Sequence, residues 1–135
     1  MNPQYMLDTN ICIYIAKYPS PEMRVRFEQM KPGQLVMSVI AFGELCFGAV
    51  KSTQRTGALA KLDELAQDIP VLNLTSAASR ACGEIRAALE KQGRMIGNND
   101  LWIGAHALAL GVTLVTNNER EFKRIAGLSV ENWTK

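Results

Sequence analysis

Cysteine and histidine are scarce in this chain of 135 residues, which has three cysteines, no CxxC pair and one histidine. Isolated cysteines in odd number argue against a disulfide framework or a zinc site. We expect Cys12, Cys46 and Cys82 to be small buried side chains in a reducing compartment. The histidine, His106, lies between alanines and is interpreted as a packed residue, which leaves no serine or cysteine with a plausible catalytic base.

Long apolar runs and a strong charge imbalance are also missing. Glycine, threonine or a charge interrupts every apolar stretch within about ten residues, which is too short for a membrane span. Residues 1–4 lack the basic start and apolar middle of a signal peptide. The net charge is +2, from 15 basic and 13 acidic residues, too small to demonstrate an anionic partner. With 47% hydrophobic residues, the chain is predicted to be one globular domain over residues 1–135, cytoplasmic and without membrane association.

Short apolar segments alternate with helical patterns along the chain. Continuous apolar strands between helices favour an α/β fold with a parallel sheet covered on both faces. In such folds ligands bind beyond the carboxyl ends of the strands, where the strand order reverses. The predicted strands are 4–7, 35–39, 71–74, 113–116 and an edge strand at 128–130, and the predicted helices are 11–17, 20–30, 38–50, 54–67, 75–92, 100–110 and 119–126. The predicted caps at helix starts are Ser20, Ser38, Thr75 or Ser76, and Asn98 or Asn99.

Carboxylates recur where an apolar run ends or a helix begins. Asp8 follows the first strand, Asp100 opens a late helix, and Glu44 lies in an apolar helix, where a carboxylate seldom goes unpaired. Taken alone, Asp8 is better explained as a helix cap and Asp100 as a first-turn acid. Together the acids predict a divalent-cation site, because clustered carboxylates repel one another unless a cation is present.

Polar residues around these acids have candidate supporting roles. Thr9 and Asn10 are predicted to orient Asp8 by hydrogen bonds, and Thr116 to orient the loop at Asn118. Several cations are candidates for phosphate contacts, although for each one taken alone a plain surface role is the better explanation. They are Arg86, Arg94, Arg120, Lys123 and Arg124.

At these residues the chain resembles the PIN-domain ribonucleases, and more closely the VapC toxins of bacterial toxin–antitoxin pairs. Four stretches carry the resemblance in the right order across nearly the whole chain. They are MLDTNI at 6–11, EL at 44–45 with GA at 48–49, GRMIGNNDLWI at 93–103, and LVTNN at 114–118 leading to EF at 121–122.

The resemblance implies a three-layer PIN-like, or Rossmann-like, fold with a central parallel sheet of about five strands. It also implies endonucleolytic RNA cleavage that depends on Mg²⁺, with Mn²⁺ as a substitute, and Asp8, Glu44 and Asp100 as metal-binding acids. A metal-bound water would attack the phosphodiester and leave a 5′-phosphate and a 3′-hydroxyl. Many PIN domains carry a fourth acid where this chain has Asn118. Either Asn118 holds a metal-bound water, or Glu119 or Glu121 reaches inward.

Partners are implied by the resemblance alone. It implies a VapB-like antitoxin, a homodimer, a structured RNA substrate such as tRNA or ribosomal RNA, and operator DNA bound only through the antitoxin complex. The implied consequence is inhibition of translation and growth until the antitoxin neutralises the toxin.

Three rival functions share parts of this pattern. A haloacid-dehalogenase-like phosphatase also begins with a strand ending in Asp-Thr, but it requires a general acid where Asn10 stands. A signalling receiver domain requires a phospho-accepting aspartate after the third strand, where the chain reads Asn73-Leu74-Thr75. A catalytically silent PIN fold would act through protein contacts only, with acids free to drift.

Overall fold

A computed structural model describes residues 2–17 and 19–135 of the chain. The strands are β1 (Tyr5–Leu7), β2 (Leu35–Ser38), β3 (Val71–Leu72), β4 (Thr113–Val115) and β5 (Val130–Glu131). The helices are α1 (Thr9–Lys17), α2 (Pro21–Glu28), α3 (Val39–Val50), α4 (Arg55–Asp68), α5 (Ser76–Gln92), α6 (Asn98–Leu110) and α7 (Glu119–Phe122).

The strands form one parallel five-stranded sheet in the order β3-β2-β1-β4-β5. The chain therefore moves outward from β1 through β2 to β3 and then returns to the other side of β1 with β4. This reversal between β1 and β4 is the switch point at which α/β folds place their ligands. The predicted α/β fold with about five parallel strands is confirmed.

Local capping chemistry explains where the helices begin and end. The side chains of Ser20, Ser38 and Thr75 accept hydrogen bonds from backbone N–H groups in the first turns of α2, α3 and α5. Such caps satisfy N–H groups that have no partner within the helix. Gly93 and Gly111 end α5 and α6 in the left-handed conformation, which glycine adopts without a steric penalty.

Four predicted helix boundaries were wrong by two or more residues, at the start of α1, the end of α2, the start of α6 and the end of α7. We expected Asn98 or Asn99 to cap α6, but the capping position is Gly97, and the helix already begins at Asn98. We expected α7 to reach residue 126, but it ends at Phe122. The chain after Phe122 continues as turns that pack Ile125 against the core. The shorter α7 keeps residues 119–122 directly behind the end of β4.

The core contains nearly all of the strand side chains and closes at the C-terminus with Trp133, which is 2% exposed. His106 is buried as predicted, and its Nδ1 lies 2.9 Å from the Ser38 hydroxyl. Cys12 and Cys82 are buried, and burial raises the pKa of each thiol. The prediction was wrong for Cys46, which is half-buried on α3. In the described part of the chain, no helix is long and apolar enough to cross a membrane.

Candidate active site

The strand register brings Asp8 and Thr116 together at the switch point. Leu7 of β1 pairs with Val115 of β4, so the residues that follow them lie side by side where the strands end. The Thr116 hydroxyl donates a hydrogen bond to Asp8 Oδ2, and the backbone N–H of Ile11 donates to Asp8 Oδ1 at 3.0 Å. Asp8 is therefore fixed through both carboxylate oxygens, with one of them bound at the start of α1.

Burial decides the electrostatics of Asp8, which is only 4% exposed. Desolvation raises the pKa of its carboxyl group, and the hydrogen bonds from Thr116 and Ile11 partly offset that rise. The negative charge of Glu44 raises the pKa further. A buried carboxylate close to a second one is costly unless a cation joins them.

Glu44 reaches the site from α3, which packs against α1. The Thr9 hydroxyl donates a hydrogen bond to Glu44 Oε1 at 2.7 Å. Sequence reasoning assigned Thr9 to Asp8, and the structure gives it a different partner. A side chain in the first turn of α1 therefore holds the carboxylate that α3 supplies.

Asp100 enters from the first turn of α6. Its pKa is raised to about 6, first by burial and then by the negative charges of Glu121, Asp8 and Glu44. The predicted acids thus influence one another electrostatically although they lie far apart in the sequence. Glu121 belongs to the same group and has a larger effect on Asp100 than either Asp8 or Glu44 has.

Glu121 connects the loop after β4 to the start of α6. Its Oε1 accepts a hydrogen bond from the backbone N–H of Gly97 at 2.8 Å, and its Oε2 accepts one from the Asn118 side-chain amide at 2.7 Å. The Asn118 backbone N–H donates to the Thr116 hydroxyl at 2.9 Å. A continuous series of bonds therefore runs from Asp8 through Thr116, Asn118 and Glu121 to Gly97.

No cation of the protein neutralises this group in the part of the chain that the structure describes. The acidic partners of the ion pairs there are Glu131, Glu90 and Glu119. Nor do the described residues include three acidic, histidine or cysteine side chains already arranged to hold a metal ion. The charge of Glu44 raises the pKa of Asp8, and the charges of Glu121, Asp8 and Glu44 raise that of Asp100 after burial has done so. A cation bound among these acids would take water in part of its coordination shell, as Mg²⁺ commonly does.

Two other residues that the sequence suggested for the metal site, Glu119 and Asn10, do not join the acid group. Glu119 accepts a hydrogen bond from Asn132 and pairs with Lys123 and Lys135, which lowers its pKa to about 2. It is therefore engaged elsewhere, and Glu121 is the acid behind β4 that faces Asp100. The side chain of Asn10 is exposed.

The candidate phosphate-binding cations have mixed surroundings. Arg86 is exposed on α5 and forms an ion pair with Glu90 at 3.5 Å, so it already has a partner. Arg94 is exposed and precedes Asp100 in the sequence, and Arg120 is exposed and directly precedes Glu121. Arg124 donates to the Met95 carbonyl at 3.0 Å, which gives it a role in holding the loop before α6. Contacts of these residues with RNA stay predictions.

The acids lie apart from two cavities on the surface of the described chain. Two surface cavities, of about 550 and 480 Å³, are lined by other residues. The first lies between α2 and the C-terminal residues, and the second lies where α2 and α4 end. Asp100, Glu44 and Glu121 are each partly exposed, which leaves them accessible to a large substrate.

Comparison with known proteins gives a consistent family assignment. The PIN domain family matches residues 5–128. Ribonuclease VapC2 of Rickettsia felis is 42% identical over 97% of this chain and 98% of its own length. The tRNA(fMet)-specific endonuclease VapC of Shigella flexneri is 40% identical over 97% of this chain and 98% of its own.

A solved structure agrees with these sequence comparisons. The crystal structure of DNA-bound VapBC from Salmonella typhimurium superposes with a TM-score of 0.92 at 37% identity, covering 97% of this chain and 98% of that one. Phosphatase and receiver-domain assignments are excluded by this agreement of sequence and fold. The chain belongs to the PIN-domain nuclease family, and its full-length similarity places it among the VapC ribonucleases.

Proposed function

We propose that this protein is an endoribonuclease toxin that uses Mg²⁺, or Mn²⁺ in its place, to hydrolyse phosphodiester bonds in RNA. The observation that carries the proposal is the Asp8 carboxylate, which is held through both of its oxygens at the switch point of the sheet. Burial, and then the charges of Glu121, Asp8 and Glu44, also raise the pKa of Asp100 to about 6. Carboxylates that gather around a switch point, with two of them made harder to ionise by burial and nearby negative charge, are suited to a divalent cation.

The donor set favours a hard cation. All candidate ligands are carboxylate oxygens, which Mg²⁺ and Mn²⁺ prefer over the nitrogen and sulfur ligands typical of zinc. Asp8 and Asp100 are the proposed direct ligands, with Glu44 and Glu121 acting directly or through water. When bound, such a cation supplies an activated water and stabilises charge on the scissile phosphate.

The chain's own residues have separate tasks in this proposal. Asp8 is oriented by Thr116 and the start of α1, and Glu44 is oriented by Thr9. These bonds fix the carboxylates before substrate arrives, which reduces the reorganisation required during reaction. Exposed Arg94 and Arg120 are the proposed contacts to RNA phosphates flanking the cut. Hydrolysis leaves a 5′-phosphate on one product and a 3′-hydroxyl on the other.

The proposed substrate is tRNA, with ribosomal RNA loops as the second choice. The Shigella flexneri relative is named as a tRNA(fMet)-specific endonuclease, and similarity over the full length of both chains supports the same substrate class here. The Salmonella typhimurium relative was crystallised as a DNA-bound VapBC complex. We infer a VapB-like antitoxin, operator DNA bound through that antitoxin, a homodimeric toxin, and a cytoplasmic location.

Cleavage of purified RNA tests the function directly. The protein is expected to cut tRNA with Mg²⁺ or Mn²⁺ and to stop when EDTA is added, while Asp8→Asn removes cleavage under all conditions. Sequencing of 5′-phosphate ends after brief expression in cells identifies the RNA and the bond. A properly folded wild-type protein that leaves total RNA intact with either metal would instead support a catalytically silent PIN fold.

A further inference from the structure

Asn118 occupies the position after β4 where an acid was expected, and its side chain contacts Glu121. The amide Nδ2 lies 2.7 Å from Glu121 Oε2. An ionised carboxylate can only accept hydrogen bonds, so the amide must present its N–H group to it. An aspartate at 118 would place a second negative charge against Glu121, whereas asparagine supplies a donor.

The second oxygen of Glu121 is held from the opposite direction. The backbone N–H of Gly97 donates to Oε1 at 2.8 Å, and Gly97 immediately precedes the helix that carries Asp100. A Cβ atom added at Gly97 would lie 3.8 Å from Glu121 Oε1 and 3.9 Å from Asp100 Oδ2. The carboxylates of Glu121 and Asp100 therefore flank the same backbone position.

We propose that Asn118 is a positioning residue that holds the Glu121 carboxylate beside Asp100. The acid expected directly after β4 is thereby supplied by Glu121, three residues further along the chain. Asn118 is itself anchored, because its backbone N–H donates to the Thr116 hydroxyl that also binds Asp8. This inference rests on the proposed metal-dependent function.

The neighbouring acid provides an internal comparison. Glu119 also accepts a hydrogen bond from an asparagine amide, that of Asn132, at 2.8 Å. Its other partners are Lys123 and Lys135, and it is absent from the charges that act on Asp100. A hydrogen bond from an asparagine amide to a glutamate carboxylate therefore occurs twice around α7. Glu121 accepts one within the acid group, and Glu119 accepts the other outside it.

Calorimetric titration with Mn²⁺ at pH 7.5 tests the role of Asn118. Asn118→Ala is expected to weaken Mn²⁺ binding about tenfold, the lower end of the usual effect of residues that orient metal ligands. In a Glu121→Ala background, Asn118→Ala is expected to cause no further loss, because the two residues act as one unit. The half-saturating Mn²⁺ concentration for RNA cleavage should rise about tenfold, while kcat at saturating Mn²⁺ stays near the wild-type value.

Asn132→Ala is the matched control and is expected to leave Mn²⁺ affinity unchanged. The Asn118 side chain makes no capping hydrogen bond to α7, so thermal unfolding in EDTA should remain close to wild type and exclude a folding defect. The positioning role would be overturned if Asn118→Ala bound Mn²⁺ as tightly as the wild type. It would also be overturned if Asn118→Ala lost as much Mn²⁺ affinity in the Glu121→Ala protein as in the wild type. Either result would leave the proposed function standing. Failure of the wild type to bind Mn²⁺ would overturn both.

Discussion

Replacing Asp100 with asparagine should stabilise the metal-free protein while removing its activity. Burial, and then the negative charges of the neighbouring acids, raise the pKa of Asp100 from 3.8 to about 6. Its carboxylate therefore costs free energy when it ionises in the folded, metal-free state. Asparagine keeps the shape and removes the charge. A purely structural first-turn acid would behave in the opposite way, because its loss removes a favourable interaction with the helix dipole.

The magnitude follows from the linkage between pKa and stability. Each pKa unit corresponds to about 1.4 kcal/mol, which sets an upper limit of roughly 3 kcal/mol at neutral pH. Asp100 is partly exposed, and solvent screening reduces the expected gain to about 1–2 kcal/mol. The pH dependence has the sign expected for an acid whose pKa is higher in the folded state than in the unfolded state. The contribution of Asp100 to stability is largest below its unfolded pKa and is lost as the pH rises through about 6.

Urea unfolding in EDTA at pH 5 and pH 7.5 measures this effect. Asp100→Asn should exceed the wild type at pH 7.5, and the difference should shrink at pH 5. Asp63→Asn, an exposed change on α4, is the control and should follow the wild type at both pH values. The reasoning is refuted if Asp100→Asn is less stable than the wild type at pH 7.5, since burial and the neighbouring acids would then not make ionisation of Asp100 costly.

Further predictions concern packing and the orientation of Glu44. Gly104→Ala should destabilise the protein by about 1–3 kcal/mol, because its Cβ would lie 2.5 Å from Ile125 Cδ1 in a packed core. Gly43→Ala, where the added Cβ meets no atom within 4 Å, should be neutral or stabilising. Thermal unfolding of both glycine variants measures the difference. Thr9→Val should weaken Mn²⁺ binding about tenfold, because it removes the hydroxyl that holds Glu44. Thr9→Ser keeps that hydroxyl and should bind as the wild type does; equal affinities for Thr9→Val and Thr9→Ser would contradict the assigned role.

Most of the fold could be predicted from local sequence signals. Ser20, Ser38 and Thr75 were recognisable helix caps, and each bonds to the first turn of its helix. Element ends were less predictable where capping signals compete. At Gly97 the helix begins without a side-chain cap, so the neighbouring asparagines were a misleading signal, and α7 is shorter than its helical pattern because tertiary packing of Ile125 takes over.

The candidate site was predictable in its residue types but not in its partners. The sequence predicts Asp8 and Asp100 as site residues because they stand where a strand ends and where a helix begins. The pairing register of β1 and β4 explains why the residues after these two strands lie side by side. The contact between Thr9 and Glu44 depends on how α1 packs against α3, which the sequence pattern does not specify. The same limit applies to Glu121 and Glu119: both follow β4, and only side-chain partners distinguish them.

Crystals grown with Mn²⁺ offer the most direct test of the central claim that distant acids share one cation. Anomalous diffraction should show one strong manganese peak in contact with the carboxylates of Asp8 and Asp100, with Glu44 and Glu121 close by. The peak should vanish in Asp8→Asn crystals grown in the same way. A manganese ion bound elsewhere in an active protein, with the Asp8–Asp100 region empty, would contradict the account.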